Sequence, residues 1–211
     1  TLIRLPDDCA VMILGDVSGK GIEAASMSAL VKTALTAYAW EGAGPARMAR
    51  SLNSMLMGFS RVETFVTAFI AKIDLKTGRA TYCSAGHPPT MVIRPESMPL
   101  GGGEARGGEV ELLGCQSGVI GAFESMVYET GVFTFAPGDM LFMYTDGTIE
   151  ARDHTGAFFG EQRLRDLLLS VSGEGVSGIC GKVLGELDRF TESALDDDIA
   201  LVSLEFLRGR S

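Results

Sequence analysis

The chain is poor in the residues that disulfide-stapled and zinc-built proteins depend on, with four cysteines and two histidines in 211 residues. Cys9, Cys83, Cys115 and Cys180 are widely scattered, and no two form a C-x-x-C pair. Most sit among apolar neighbours, as buried thiols do, so a reducing, cytoplasmic setting fits better than a disulfide framework. With only His87 and His154 to complement them, a zinc site of thiolates and imidazoles is disfavoured. Basic residues are also scarce. Eighteen Lys and Arg face 27 Asp and Glu, for a net charge of −9, which leaves no large basic face for a nucleic acid. No apolar run approaches the ~18 residues that span a bilayer, and no signal-peptide pattern opens the chain, so no membrane partner is expected. Thr1 in first position points to a piece of a longer protein.

What is present is enough apolar material, 46% of residues, for one well-filled core. CAVMILGDV has the density of a strand buried on both faces. IEAASMSALVKTALTAYAW, rich in Ala, Leu and Met, reads as a helix, and Pro45 suits the first turn of a second, PARMARSLNSMLMGF. VETFVTAFIAKIDLKTGRATYCSAGHPP reads as a hairpin turning at Lys76, Thr77 and Gly78, and TMVIR as a short strand. PESMPLGGGEARGGEVE combines Pro, Gly and charge without periodicity and is expected to be a mobile surface loop. MVYETGVFTF and MLFMYTDG read as a second hairpin around Pro137, Gly138 and Asp139. EQRLRDLLLSV and SGICGKVLGELDRF look helical, and DDIALVSLEF closes the chain as a strand. Strands that come as hairpins predict an α+β fold, a layered sandwich of mainly antiparallel sheets flanked by helices, in one domain.

Three acidic segments carry the chemistry. Asp16 in ILGDVSGKG, Asp146 in LFMYTDGTIEA and Asp197 in ALDDDIALVSLEF each end or begin an apolar run. A carboxylate at the mouth of a buried strand is expected to be poorly solvated and to need a hydrogen bond or a cation. Three such ends brought together form a hard, oxygen-rich pocket of the kind that holds Mg²⁺ or Mn²⁺. Each also has a plainer reading: a strand-to-helix turn at Asp16, an Asp-Gly turn at Asp146, and a solvated acidic cluster at Asp197. A phosphate-cradling P-loop requires a hydroxyl residue after its lysine, whereas Gly21 follows Lys20, and it requires a parallel βαβ context.

Taken together and in order, GDVSGKGIEAA, TFVTAFIAKIDLKTGRATYCSAGHPP, PGDMLFMYTDGTIEARDHTGAFFG and DDIALVSLEF resemble the type-2C, metal-dependent (PPM) Ser/Thr protein phosphatases. The resemblance is to the SpoIIE/RsbU-like bacterial branch and runs over nearly the whole chain. It implies an α-β-β-α sandwich with two Mg²⁺ or Mn²⁺ ions at one edge. Asp16 resembles the carboxylate that bridges both ions, the Val17 carbonyl the neighbouring ligand, and Asp146 and Asp197 the remaining metal carboxylates. Asp198 resembles a group that orients a metal-bound water. The attacking group would be that water and not a side chain, with Lys20 and His87 as accessory groups.

The resemblance also implies a phosphorylated protein substrate, typically an anti-sigma-factor antagonist. It implies that the chain is the output domain of a longer protein with an upstream sensor or receiver domain. The sequence departs from the family's pattern in three places. A Gly-Gly-Asp segment and its strand do not precede Thr1, Lys20 stands where the branch commonly has histidine, and Ala200 replaces a Thr or Ser. These departures leave open a second reading, a phosphatase-fold module with an impaired site that acts by binding proteins in signalling.

Overall fold

A computed structural model of the protein describes residues 1–59, 64–95, 108–114, 116–192 and 197–207. Its strands begin with β1 (Leu2–Arg4) and β2 (Cys9–Val17), which pair antiparallel. In β2 the consecutive residues Val11, Met12 and Ile13 are all buried, so both faces of the strand are covered as its apolar density predicts. Helices α1 (Gly21–Trp40) and α2 (Pro45–Met57) follow. In α1 the buried positions Val31, Leu35 and Ala39 recur every fourth residue. In α2, Pro45 occupies the first turn, where its missing N–H costs nothing, and Met48, Ala49, Leu52 and Leu56 form the buried stripe.

The remaining elements are β3 (Val66–Asp74), β4 (Arg79–Ala85), β5 (Met91–Arg94), β6 (Glu109–Leu112), β7 (Gln116–Ser117), β8 (Gly131–Thr134), β9 (Met140–Tyr144), α3 (Gly147–Glu150), α4 (Glu161–Ser170), α5 (Val176–Phe190) and β10 (Leu201–Glu205). They form two compact units, and neither is a continuous stretch of chain. The first comprises residues 1–87 and 114–135, and the second residues 88–113 and 136–210.

The first unit holds a sheet in the order β1-β2-β3-β4-β7, with β8 also paired to β4. All its pairs are antiparallel except the two-residue β4–β7 contact. Its α1 and α2 pack on Val11, Ile13, Val66, Ala68, Ile70, Cys83 and Ala85. The other face of the same strands carries Met12, Phe69 and Tyr82, also buried. The second unit is a wholly antiparallel sheet in the order β10-β9-β5-β6. Its α4 and α5 supply Leu164, Leu168, Ile179, Val183 and Leu187 to a core with Met91, Ile93, Met140 and Phe142. Two mainly antiparallel sheets with helices are the α+β class expected from the sequence. Cys83 is buried, Cys9 and Cys180 are half-buried, and all three are free thiols.

Two local expectations are corrected. The second hairpin does not exist: β8 pairs with β4 in the first sheet, and β9 pairs with β5 and β10 in the second. The turn residues were read properly, since Asp139 accepts a hydrogen bond from the Ala136 N–H at 2.7 Å and Gly138 N–H donates to Phe206 at 2.8 Å. What separates the strands is burial. In β8 only Phe133 is buried, which suits an edge strand stacking its ring edge-on against Tyr82 and Phe135. In β9 all five residues are buried, which requires a neighbour on each side. The expected surface loop is also shorter than predicted, because Glu109–Leu112 form β6. Val110 is buried there, and the period of two pairs it with β5. The rest of that segment, residues 96–107, lies outside the described residues.

Leu52 is fully buried beneath α2, whereas Met57 at the end of the same helix is exposed. Replacing Leu52 by Ala should cost about 2–5 kcal/mol. Met57→Ala should stay within about 0.5 kcal/mol. Urea unfolding followed by circular dichroism checks both.

Candidate metal-binding site

The ladder between β9 and β10 ends at the pair Tyr144 and Leu201. One step beyond, Thr145 N–H still donates to the Ala200 carbonyl at 3.1 Å. The return bond is different. Ala200 N–H donates to the Thr145 side-chain oxygen at 2.9 Å, and that hydroxyl donates in turn to the Asp198 carbonyl at 3.3 Å. A side chain thus takes the place of a peptide carbonyl and ties the segment before β10 to the exit of β9. Beneath it, the buried Tyr144 phenol has no hydrogen-bond partner among the described residues, and burial raises its pKa well above the ordinary value.

Asp146 then turns into the helical region, with φ −55° and ψ −33°, and its Oδ1 accepts the Gly147 N–H at 3.0 Å. Gly147 opens the single turn of α3 against the incoming strand. A Cβ on it would stand 2.8 Å from the Asp198 carbonyl oxygen and 3.4 Å from the Asp197 Cβ. Its φ is not positive, so a left-handed conformation is not what calls for glycine here. Close approach demands it. Asp197 holds its own loop by accepting the Asp198 N–H at 2.9 Å. The second unit therefore brings Asp146, Asp197 and Asp198 to one sheet end.

Asp16, Val17, Lys20 and His87 belong to the first unit. Asp16 and Val17 end β2, opposite Thr67 and Val66 of β3. Past the ladder, Ser18 N–H donates to the Phe65 carbonyl and Phe65 N–H to the Ser18 hydroxyl, both at 2.9 Å. Lys20 is the exposed, extended N-cap residue of α1. Both neighbours of β2 are antiparallel, so the parallel βαβ setting of a P-loop is not present around SGKG. His87 is 2% exposed, with its Nδ1 3.4 Å from the Thr67 hydroxyl, and its carbonyl accepts a bond from the Ser84 hydroxyl at 3.3 Å. His154 is exposed beside Glu192.

One physical premise drawn from the sequence is overturned. Asp16, Asp146, Asp197 and Asp198 are all exposed, not poorly solvated, because each sits just past the point where its strand leaves the core. Two threonines escaped the sequence reading. Thr145 had a detectable signal as the polar, β-branched residue that ends an otherwise apolar strand. Thr67 had none, because its place opposite Asp16 depends on the register between two strands.

Residues 6–207 match the family described as Stage II sporulation protein E (SpoIIE). The chain belongs to this family. Protein IcfG of Synechocystis is 26% identical over 95% of the chain and 34% of its own length. Phosphoserine phosphatase RsbU of Bacillus subtilis is 25% identical over 90% of the chain and 54% of its own length. The chain thus spans about a third to a half of these relatives. The PP2C phosphatase domain of SpoIIE from Bacillus subtilis, solved with a fragment of its regulatory domain, superposes with a TM-score of 0.77. The match has 18% identity and covers 97% of this chain and 57% of that one. RsbX in complex with magnesium gives a TM-score of 0.66 at 21% identity, over 93% of this chain and 81% of that one. The fold is that of the PP2C phosphatase domains.

A divalent cation suits the donors of the SpoIIE-family sheet end. They are hard carboxylate oxygens without a histidine or thiolate, which favours Mg²⁺ or Mn²⁺ over zinc. Among the described residues the Oδ2 atoms of Asp146 and Asp197 accept no hydrogen bond. Among those residues, too, no three His, Cys, Asp or Glu side chains form a metal-holding group. Mg²⁺ asks for less, since it keeps several waters and binds through one or two carboxylates.

Replacing Gly147 by Ala forces the Asp197–Asp198 segment away from Asp146. The expected outcome is a loss of about 1–3 kcal/mol in urea unfolding, from overpacking. Calorimetric titration should show Mn²⁺ affinity weakened by about tenfold or more.

Proposed function

We propose that the chain is a metal-dependent protein phosphatase that hydrolyses phosphoserine or phosphothreonine on a bacterial signalling protein. The observation that carries it is the tie between the Asp146 and Asp197 segments through Thr145 and Gly147, in a chain of the SpoIIE family. Asp16, the Val17 carbonyl, Asp146 and Asp197 would hold two Mg²⁺ or Mn²⁺ ions. When bound, these supply Lewis acidity that lowers the pKa of water and offsets charge on the phosphoryl group. Asp198 orients water through its carboxylate. Lys20 offers the substrate phosphate a flexible point charge at the start of α1. Water is the attacking group we assign, so direct hydrolysis needs no covalent phosphoenzyme.

The likeness to RsbU, named a phosphoserine phosphatase, supports a phosphorylated protein as substrate, and an anti-sigma-factor antagonist is the class we assign. We read residues 1–211 as one output domain, working in the cytoplasm beside a sensor or receiver domain of a longer protein. Among the described residues, no helix is long and apolar enough to cross a membrane.

Hydrolysis of p-nitrophenyl phosphate should require added Mn²⁺ or Mg²⁺ and stop in chelator. Asp16→Asn should lower it by about a hundredfold or more, since a cation contributes several kcal/mol and about 1.4 kcal/mol is a factor of ten. Activity indifferent to chelator would overturn the metal chemistry. Mn²⁺ binding without hydrolysis would favour the impaired, protein-binding module to which Lys20 points.

A further inference from the structure

Asp16 stands at the penultimate position of β2, its side chain exposed while its backbone is held by the ladder to β3. A metal ligand must be held in one rotamer, and neighbours on the same sheet face help to set which one. Its direct cross-strand partner is Thr67. Residues opposite one another in an antiparallel pair project from the same face, with Cβ atoms about 4.5–5.5 Å apart. Thr67 is therefore a neighbour placed to limit where the Asp16 carboxylate can swing.

Thr67 is itself restrained. As a β-branched residue it is stiff at χ1, and its hydroxyl lies 3.4 Å from Nδ1 of His87, whichever of the two donates. His87 is 2% exposed, too deep to touch a protein substrate. Its loop is fastened on both sides. Gly86 N–H donates to the Ser117 carbonyl at 2.8 Å, and the Ser84 hydroxyl donates to the His87 carbonyl at 3.3 Å. Gly86 has φ +65°, and a Cβ there would stand 2.4 Å from the Val119 side chain and 3.2 Å from its backbone, so the loop cannot be loosened by substitution at that point. A buried histidine on a fastened loop, bonded to the residue that faces a candidate ligand, is a support and not a reactant.

We propose that His87 and Thr67 are positioning residues for Asp16: the buried imidazole fixes the Thr67 hydroxyl, and Thr67 holds the Asp16 carboxylate in its metal-binding rotamer. This rests on the reading of Asp16 as a metal ligand. A hydroxyl acting this way is replaceable by serine but not by valine. An imidazole acting through Nδ1 is replaceable by asparagine, whose amide falls near that atom, but not by leucine.

The test is calorimetric titration of the metal-free chain with Mn²⁺, beside p-nitrophenyl phosphate hydrolysis over a range of Mn²⁺ and the thermal midpoint without metal. Thr67→Val and His87→Leu should each weaken Mn²⁺ binding by about tenfold or more. Thr67→Ser and His87→Asn should stay within about threefold of the parent. At saturating Mn²⁺, Thr67→Val should recover most of the parent kcat. If His87→Leu fails to fold, the Thr67→Val and Thr67→Ser pair decides alone. Unchanged Mn²⁺ affinity in Thr67→Val, with Asp16→Asn impaired, would overturn the positioning role while leaving Asp16 as a ligand. A kcat lost at saturating Mn²⁺ in His87→Asn but not in Thr67→Val would overturn it too, by showing that His87 acts on its own. Mn²⁺ binding unaffected by Asp16→Asn would sink the ligand assignment and this inference together.

Discussion

A hydroxyl standing in for a peptide carbonyl organises the acidic end of the second unit. Where the β9–β10 ladder would otherwise continue, the Thr145 hydroxyl accepts the Ala200 N–H and donates its own hydrogen bond to the Asp198 carbonyl. A regular ladder would keep the two chains side by side in extended form. Here the substitution ends the pairing while holding the two backbones together, so that Asp146 can turn helical and Asp197 and Asp198 can enter from the other side. Gly147 permits the contact by presenting no Cβ to the Asp198 carbonyl. Each feature depends on the other: the clamp without the glycine meets a steric clash, and the glycine without the clamp leaves a loose end.

Much of this fold is legible in residue pattern because the helices and the first hairpin are local. The fourfold spacing of Val31, Leu35 and Ala39 and the Thr77–Gly78 turn between β3 and β4 carry their meaning within a few residues. The failures are non-local. Whether β8 pairs with β9 or β4 is decided by which strand needs cover on two faces, and that is a property of the sheets and not of the Pro137–Asp139 turn. β6 escapes because only four residues alternate, beside a run of glycines. At the site, the aspartates were visible as charges at the ends of apolar runs. Their exposure was not, since sequence shows that a strand ends but not how far past the core the next residue lies.

The β2–α1 turn shows how context decides a motif. Ser18, Gly19 and Lys20 before a helix resemble a phosphate cradle, yet the strand that feeds them is flanked by antiparallel partners. The lysine and the helix start remain available to an anion, but the loop geometry that wraps a nucleotide requires a parallel crossover. Topology therefore argues against a nucleotide wrapped at this turn.

Exposure of the carboxylates also bears on the stability of the fold. Two unit charges about 4 Å apart repel by about 1 kcal/mol in water, but by about 20 kcal/mol in a dry interior. Had Asp146, Asp197 and Asp198 been buried as their strand-end positions suggest, each would have needed a partner to offset its lost hydration. At an exposed sheet end the same charges are screened by water and cost little. Within Gly15–Ile22, Lys20 is the lone basic residue, so the turn into α1 carries a single point charge beside Asp16 in sequence and no basic patch.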